Sequence, residues 1–425
     1  MPKFTLPYGH ANIEFSLSNS FEIQSILPFS IQPDHPEVEI VKQSLNNPLD
    51  HFEVQKLISK ESSVVIVVND KTRPVPNALL LSPLIDNLLH FGIQKKNIRF
   101  IIGMGTHIPM QTEEFIKVLP VEIVENYPIT AHNCDDEANL VFKGFSSGGT
   151  PVFVNRVFDQ ADIRIVVGNI EPHHFAGFSG GVKSAAIGVC GRKTITVNHR
   201  LLLDKNAVVG NYETNPLRQD IEEIGRMIQV TLALNVVLNS EKRILHCFWG
   251  KPDAVMHEGI QASRMVSMQK IPHRVDLVVA SAGGYPKDIN LYQAQKAMTH
   301  ASLILRPGGI ILLAAACEEG IGSQGYEDFM KDVHSLNEIN TKFEQQGFSV
   351  GPHKAIQIAR IAKAHPIILV SRLPFSKVEQ LLLTPAVSID NGIEKALKIN
   401  GSIHSVAILP FAVSTIPSIE ETTSQ

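Results

Sequence analysis

The chain of 425 residues has little cysteine, a single tryptophan, no long apolar run and no excess of positive charge. Its four cysteines form no CxxC pair, which argues against a disulfide framework or a zinc ribbon and favours a reduced, cytoplasmic setting. The apolar run that begins at Ile310, IILLAAAC, is far too short to cross a bilayer, and the N-terminus lacks the apolar stretch of a signal peptide. A formal net charge of −4 provides no basic stripe for nucleic acid. We therefore expect neither a membrane nor a nucleic-acid partner.

Short β-branched runs alternate with helical patterns along most of the chain. Strands are predicted over residues 62–70, 97–107, 162–174 and 274–284, and a helix over 253–270. This alternation is typical of an α/β fold, with parallel sheets covered by helices. Because the length exceeds what one hydrophobic core supports, two α/β domains are predicted. We expect an N-terminal domain over residues 1–270 and a C-terminal domain over 271–425 that ends in a polar tail.

Ionisable residues beside glycine or proline follow four of the predicted strands. The segments are NDKTRP (69–74), GTHIP (105–109), EPHHFAGFSGGVKS (171–184) and LYQAQK (291–296). In open α/β sheets, ligands bind beyond the carboxyl ends of the strands. Turns alone do not need arginine, histidine and lysine in four strand ends, so the pattern predicts a shared polar pocket.

The residue types in these segments fit acid/base chemistry on a carboxylate. Arg73 and Lys296 can hold a carboxylate, and histidines from different strands can act as acid and base on opposite sides of a substrate. Two-sided acid/base geometry is what racemisation requires. Consecutive side chains are expected to diverge, so His173 and His174 are not both expected to face one ligand.

The glycine-rich segment 177–184 is not a nucleotide-binding loop. Val182 separates the last glycine from Lys183, and the GMG after the second strand lacks the third glycine of a dinucleotide fingerprint. A lysine in such a turn instead suits covalent attachment of a cofactor. His199, in the segment TVNH (196–199), is a candidate metal ligand.

Taken in order, these four segments and TVNH resemble the signatures of the nickel-dependent lactate racemase family. The resemblance implies two α/β domains with the active site in the cleft between them. It also implies an isomerase, a 2-hydroxy acid racemase or epimerase, that works by reversible hydride transfer to a cofactor. That cofactor is a nickel pincer, pyridinium-3-thioamide-5-thiocarboxylic acid mononucleotide, which separate maturation enzymes supply.

The resemblance also assigns roles to individual residues of this sequence. They are covalent attachment of the cofactor at Lys183, nickel ligation by His199, acid/base catalysis by His107 and His173, substrate binding by Arg73, Gln293 and Lys296, and further cofactor contacts from Asp70, Thr72 and Tyr292. The substrate carboxylate is expected to meet the three substrate-binding residues.

Two departures from the family pattern leave the substrate open. Family members often carry tyrosine where this chain has His174, and lactate-specific members carry a tryptophan in the second domain, whereas Trp249 lies in the predicted N-terminal domain. Lactate and larger 2-hydroxy acids both stay candidates, and the oligomeric state is open. Two other functions remain open: a pyridoxal-phosphate enzyme with Lys183 as Schiff base, and a carboxylate-binding protein without catalysis.

Overall fold

The chain, described here by a computed structural model, divides into two compact units. A central unit comprises Ser30–Val266, and a terminal unit comprises Met1–Phe29 together with Ser267–Gln425. The structure describes residues 1–51, 53–73, 75–346 and 351–420. Pro74 of the NDKTRP segment and residues 421–425 of the predicted polar tail lie outside the described residues.

Strands and helices alternate through both units. The strands are β1 (Lys3–Tyr8), β2 (Ala11–Ser16), β3 (Glu22–Ser25), β4 (Val64–Asn69), β5 (Ile98–Gly103), β6 (Ile129–Ala131), β7 (Leu140–Phe145), β8 (Pro151–Asn155), β9 (Ile163–Asn169), β10 (Pro172–His173), β11 (Gly177–Phe178), β12 (Leu232–Leu238), β13 (Ile244–Gly250), β14 (Met268–Ile271), β15 (Val275–Ser281), β16 (Leu305–Ala314), β17 (Ile367–Val370), β18 (Thr384–Ala386), β19 (Ser405–Leu409) and β20 (Ile416–Ile419). The α-helices are α1 (Glu37–Asn46), α2 (Asn77–His90), α3 (Val121–Asn126), α4 (Arg156–Gln160), α5 (Lys183–Ala186), α6 (Arg192–Arg200), α7 (Pro216–Met227), α8 (Pro252–Ser267), α9 (Leu291–Ser302), α10 (Gln324–Met330), α11 (Leu336–Gln346), α12 (Pro352–Ala364), α13 (Phe375–Gln380) and α14 (Ile389–Asn400).

The central unit is built on a sheet of strand order β13-β12-β9-β4-β5-β6, parallel except for the β12–β13 pair. Five of the six residues of β4, VVIVVN, are buried, as expected for a strand covered on both faces. Side chains of this sheet form one core with α2 and the fully buried Trp249. The parallel strands β4, β5 and β9 place Asn69, Gly103 and Asn169 at their carboxyl ends.

The terminal unit contains a sheet of order β18-β17-β16-β15-β19-β3 in which every pair is parallel. The β1–β2 hairpin contributes Leu6 and Phe15 to the core of this unit. The predicted α/β fold with largely parallel sheets is confirmed. No helix in the described part of the chain is long and apolar enough to cross a membrane.

The division of the chain differs from the predicted one at its beginning. The predicted boundary at residue 270 lies close to the observed one at Ser267, but residues 1–29, which we expected in the N-terminal domain, belong to the terminal unit. The reason is long-range pairing, because β3 joins the terminal sheet through a register that matches Glu22 with Ser405. The predicted helix over 253–270 ends at Ser267, and β14 begins at the next residue.

Candidate active site

A cavity of about 170 Å³ lies at the carboxyl ends of β4, β5 and β9 in the central unit. Three loops converge there because parallel strands end at the same edge of a sheet. The structure brings together six of the residues selected from the sequence, and all six line this cavity: Asp70, Arg73, His107, His173, Lys183 and His199.

His107 and Asp70 form a hydrogen-bonded pair at the mouth of the cavity. The distance between His107 Nδ1 and Asp70 Oδ2 is 2.5 Å, and the Asp70 side chain is buried whereas about half of the His107 side chain is exposed. Burial alone would raise the pKa of Asp70, but hydrogen bonds from His107 and Thr72 outweigh it and lower that pKa. An ionised carboxylate only accepts, so Nδ1 of His107 donates and Nε2 of the neutral ring carries the lone pair.

Thr72 also makes hydrogen bonds to the Asp70 carboxylate. Its backbone amide and its hydroxyl both donate to Asp70 Oδ1, at 3.0 and 2.6 Å. Asp70 and Thr72 are predicted to contact the cofactor; in the structure Asp70 lines the cavity, and its carboxyl group is hydrogen-bonded to both His107 and Thr72. The backbone amide of Arg73 donates to the Asp70 carbonyl at 3.1 Å, and this bond tightens the turn that carries Arg73.

His173 is buried and has the opposite tautomer. Its Nδ1 accepts a hydrogen bond from the Ala176 amide at 3.2 Å, so the neutral ring carries its proton on Nε2. Burial lowers the pKa of His173 well below its usual range, and the positive charge of Lys183 adds to this effect, followed by His174, Arg73 and His199. The protein around His173 therefore disfavours its protonated form.

The adjacent histidines do not diverge as expected. The rings of His173 and His174 stack at a centroid distance of 4.6 Å and an interplanar angle of 17°, and Phe175 contacts both edge-on. The two-residue strand β10 ends at His173, so the alternation of a strand does not extend to the next residue. His173 lines the cavity, and His174 packs behind it.

The glycine-rich turn brings backbone close to the cavity floor. At Gly180, where φ is +81°, an added Cβ would lie 2.5 Å from Ile170 Cγ1, so no larger residue fits without movement. The amide of Gly181 donates to Asn235 Oδ1 at 2.6 Å. Lys183 follows as the first residue of α5.

The Lys183 amine has an unusually low pKa of about 7. Burial is the largest cause, and the nearby guanidinium groups of Arg73 and Arg218 add to it, while Glu171 opposes them. A large fraction of the amine is therefore neutral and nucleophilic at neutral pH, as covalent attachment of a cofactor requires.

Arg218 is a structural residue of the site that sequence reasoning missed. Its side chain is fully buried and donates to the carbonyls of Phe178 and Gly180, at 2.9 and 3.1 Å, while pairing with Glu222 at 2.5 Å. Arg218 thus holds the glycine-rich turn from beneath. The spacing of Arg218 and Glu222 on a helix, four residues apart, was the signal that could have identified this pair.

His199 lies on α6 with its ring against Phe175, at a centroid distance of 5.4 Å. Its Nδ1 is 3.1 Å from Asn198 Oδ1. Among the described residues, no group of three or more His, Cys, Asp and Glu side chains is suited to hold a metal ion. A metal ion bound at His199 would therefore need further ligands that are not such a group of side chains.

The other three candidate residues form a group on α9 of the terminal unit. Tyr292 and Lys296 are half-buried and one helical turn apart, and Gln293 is exposed. Lys354, which sequence reasoning missed, places its amine 5.0 Å from the centre of the Tyr292 ring. Burial lowers the pKa of Lys354 to about 7, with a contribution from the positive charge of Lys296.

Comparisons with known proteins cover nearly the whole chain. Residues 8–210 match the lactate racemase N-terminal domain and residues 270–417 match the lactate racemase C-terminal domain. A lactate racemase from Thermoanaerobacterium thermosaccharolyticum is 30% identical over 426 residues, which cover 98% of this chain and 99% of that protein. One from Lactiplantibacillus plantarum is 31% identical over 391 residues, with coverage of 89% and 91%.

Solved structures give the same result at the level of the fold. The lactate racemase apoprotein from Thermoanaerobacterium thermosaccharolyticum has a TM-score of 0.87 at 27% identity, covering 99% of this chain and all of that one. A protein from Thermotoga maritima shares the fold at 17% identity, with a TM-score of 0.61 and coverage of 90% and 98%. The resemblance and the enzyme class predicted from the sequence are confirmed, and the chain is an isomerase that belongs to the lactate racemase family.

Proposed function

We propose that this protein interconverts the stereoisomers at C2 of a 2-hydroxy acid, lactate or a related acid, with a nickel-pincer nucleotide attached to Lys183. The observation that carries the proposal is the cavity itself. It holds two histidines of opposite tautomer, an amine with a pKa of about 7 and a candidate metal ligand, His199, in a chain that aligns end to end with lactate racemases.

The residues of the cavity fit the proposed cofactor. The neutral fraction of the Lys183 amine can form the covalent link, and an imidazole nitrogen of His199 is a ligand that nickel accepts. Because the described residues provide no further metal cluster, the other donors would be the sulfur atoms and ring carbon of the pincer. When bound, this group supplies a reversible acceptor for the hydrogen of C2 with its bonding electrons.

The two histidines manage the proton of the substrate hydroxyl. His107 presents its Nε2 lone pair and accepts the hydroxyl proton as the C2 hydrogen leaves, while Asp70 stabilises the resulting imidazolium. A planar 2-keto acid results, and return of the hydrogen to its other face gives the opposite stereoisomer. His173 supplies the proton on that side. As an imidazolium it gives up the hydrogen bond that Nδ1 accepts from the Ala176 amide, and burial and neighbouring cations also disfavour its charge, so it readily releases the Nε2 proton.

Substrate binding should raise the pKa of His173. A substrate carboxylate held by Arg73 offsets the positive charges that lower the pKa of His173, and attachment of the cofactor converts the Lys183 amine into a neutral group. We propose that Gln293 and Lys296 also bind this carboxylate and that Tyr292 contacts the cofactor. We place the reaction in the cytoplasm, which four free cysteines suit, and expect maturation enzymes to load the cofactor.

The test is activation of the protein with the cofactor pathway, followed by chiral chromatography of single enantiomers of short, aromatic, dicarboxylic and sugar-derived 2-hydroxy acids. We expect racemisation of at least one acid, nickel near one per chain and a mass adduct on the peptide that contains Lys183. Lys183→Ala should lose both adduct and activity. Racemisation of none of these acids by the loaded protein would refute the proposal.

The same preparation distinguishes the two other functions. A pyridoxal-phosphate enzyme would show an absorption band that borohydride abolishes, and a carboxylate-binding protein would bind a 2-hydroxy acid without changing its C2 configuration. Either result, obtained with cofactor-loaded protein, contradicts the racemase.

A further inference from the structure

Asn198 and Asp220 are two buried side chains that form a hydrogen-bonded group next to His199. Asn198 precedes His199 on α6, and its side chain is fully buried. Asp220 lies on α7, and 6% of its surface is exposed. Neither residue follows a strand end, so the sequence pattern that selected the other site residues does not include them.

The amide group of Asn198 can take only one orientation. Its Nδ2 donates to Asp220 Oδ2 at 2.8 Å and to the Leu217 carbonyl at 3.1 Å. The opposite orientation would lose both hydrogen bonds and place Oδ1 against two oxygen atoms that can only accept. Oδ1 of Asn198 therefore points to His199 as an acceptor.

Asp220 is itself held rigidly on both of its carboxyl oxygens. Ser146 Oγ donates to Oδ1 at 2.5 Å, and Thr150 Oγ1 donates to Oδ2 at 2.9 Å. These two residues flank the turn between β7 and β8, so the hairpin, α6 and α7 are joined at this carboxyl group. The third hydrogen bond to this carboxyl group comes from Asn198. Because an ionised carboxylate only accepts, the atom of Asn198 that faces it must be Nδ2 rather than Oδ1.

We infer that Asn198 and Asp220 are positioning residues that fix His199 as the Nδ1–H tautomer, so that Nε2 is its metal-binding atom. Nδ1 of His199 lies 3.1 Å from an atom that can only accept, and it must therefore donate. A ligating histidine that donates its other ring N–H is held in orientation and is a stronger donor to the metal. The metal-binding part of this inference rests on the proposed function, whereas the tautomer does not.

A second histidine of the central unit offers an internal reference of opposite tautomer. His132 Nε2 is 3.0 Å from the Cys190 carbonyl, which can only accept, and Nδ1 is 3.2 Å from Asn155 Nδ2, which donates. His132 is therefore the Nε2–H tautomer, and burial lowers its pKa, which keeps it neutral. Asn155 thus faces a histidine with its amide nitrogen, and Asn198 does so with its amide oxygen.

The test is a long-range ¹H–¹⁵N spectrum of the apoprotein labelled with ¹⁵N-histidine, recorded at pH 8. The signals of His199 and His132 are assigned by their loss in His199→Gln and His132→Gln. We expect a protonated Nδ1 and an unprotonated Nε2 for His199, and the reverse for His132. A His199 signal with the proton on Nε2 would overturn the inference, whether or not the enzyme is active.

Asn198→Ala tests the cause, with Asn155→Ala as the matched control. Asn198→Ala should convert His199 to a mixture or to the Nε2–H form, whereas Asn155→Ala should leave His199 unchanged. In cofactor-loaded protein, Asn198→Ala should hold nickel about 10–100-fold more weakly in competition with EDTA, the usual effect of removing such a partner. An unchanged His199 spectrum in Asn198→Ala overturns the inference, and if that variant does not fold, the wild-type spectrum still decides. A protein with the expected tautomers but no racemisation of any acid would refute the proposed function alone.

Discussion

The Lys183 amine should react with electrophiles near neutral pH far faster than an ordinary lysine. With a pKa of about 7, about half of the amine is neutral at pH 7, against roughly one part in 2,500 for a lysine with a pKa of about 10.4. The lower basicity reduces intrinsic nucleophilicity by roughly 30-fold if a Brønsted slope of about 0.4–0.5 applies, as it does for thiols. An advantage on the order of 40-fold remains.

The measurement is a brief pulse of acetic anhydride on the apoprotein at pH values from 6 to 10, followed by mass spectrometry of tryptic peptides. Lys193 is the reference, because 68% of its side chain is exposed to solvent. We expect acetylation of Lys183 to reach half its maximal rate near pH 7, and the ratio of its rate to that of Lys193 to fall steadily as the pH is raised above 7.

Two substitutions at Arg73 test the electrostatic part of the argument. Arg73 is the largest cause of the low pKa of Lys183 after burial. Arg73→Met removes a positive charge, so the pKa of Lys183 should rise and acetylation at pH 7 should slow, whereas Arg73→Lys keeps the charge and should preserve most of the rate. Acetylation of Lys183 no faster than that of Lys193 at pH 7, or equal rates in the two variants, would refute the reasoning.

Three further predictions concern neighbouring groups. Asp70→Asn removes the carboxylate that orients His107, so kcat for racemisation should fall by about 10²–10⁴-fold, the usual contribution of an acid/base group. Chiral chromatography of cofactor-loaded protein measures kcat, and an unchanged value would contradict the assigned pair. Arg218→Met leaves the buried Glu222 carboxylate without its ion-pair partner, so the free energy of unfolding measured with urea should be lower by about 3–5 kcal/mol. Adding Glu222→Leu should recover most of this loss, and no recovery would mean that the ion pair is not its cause. The pKa of His173 is lower in the folded than in the unfolded protein, so below about pH 6.5 the unfolded state binds more protons. The free energy of unfolding should therefore decrease as the pH is lowered through this range, by up to about 1.4 kcal/mol per pH unit. His173→Gln should flatten that part of the urea-derived profile, and an unchanged slope would count against the buried, neutral imidazole.

The cavity could be predicted from the polar residues that follow the strands, because this pattern is local in the sequence. The apolar run that forms β4 and the polar residues after it are adjacent in sequence, and parallel strands bring such segments together at one edge. Asp70, His107 and Lys183 could therefore be selected from the chain, although the bond between Asp70 and His107 could not.

The features that the sequence did not reveal depend on contacts between distant segments. β3 is four residues long, and nothing in its pattern indicates a partner almost 400 residues away. The orientation of the Asn198 amide follows from Asp220, which follows from a hairpin some 70 residues earlier. The tautomers of the histidines depend on such three-dimensional partners and not on residue type.

The terminal unit is built from two separate segments of the chain, and this affects the order in which it can fold during synthesis. The central unit is one continuous segment, so its sheet can form as soon as residue 266 has left the ribosome. The edge strand β3 precedes the central unit in the sequence and cannot pair until β19 has been made as well. The apolar side chains that β1 and β2 contribute to the core of the terminal unit therefore stay uncovered until the segments that pack against them, which follow the central unit, have been synthesised.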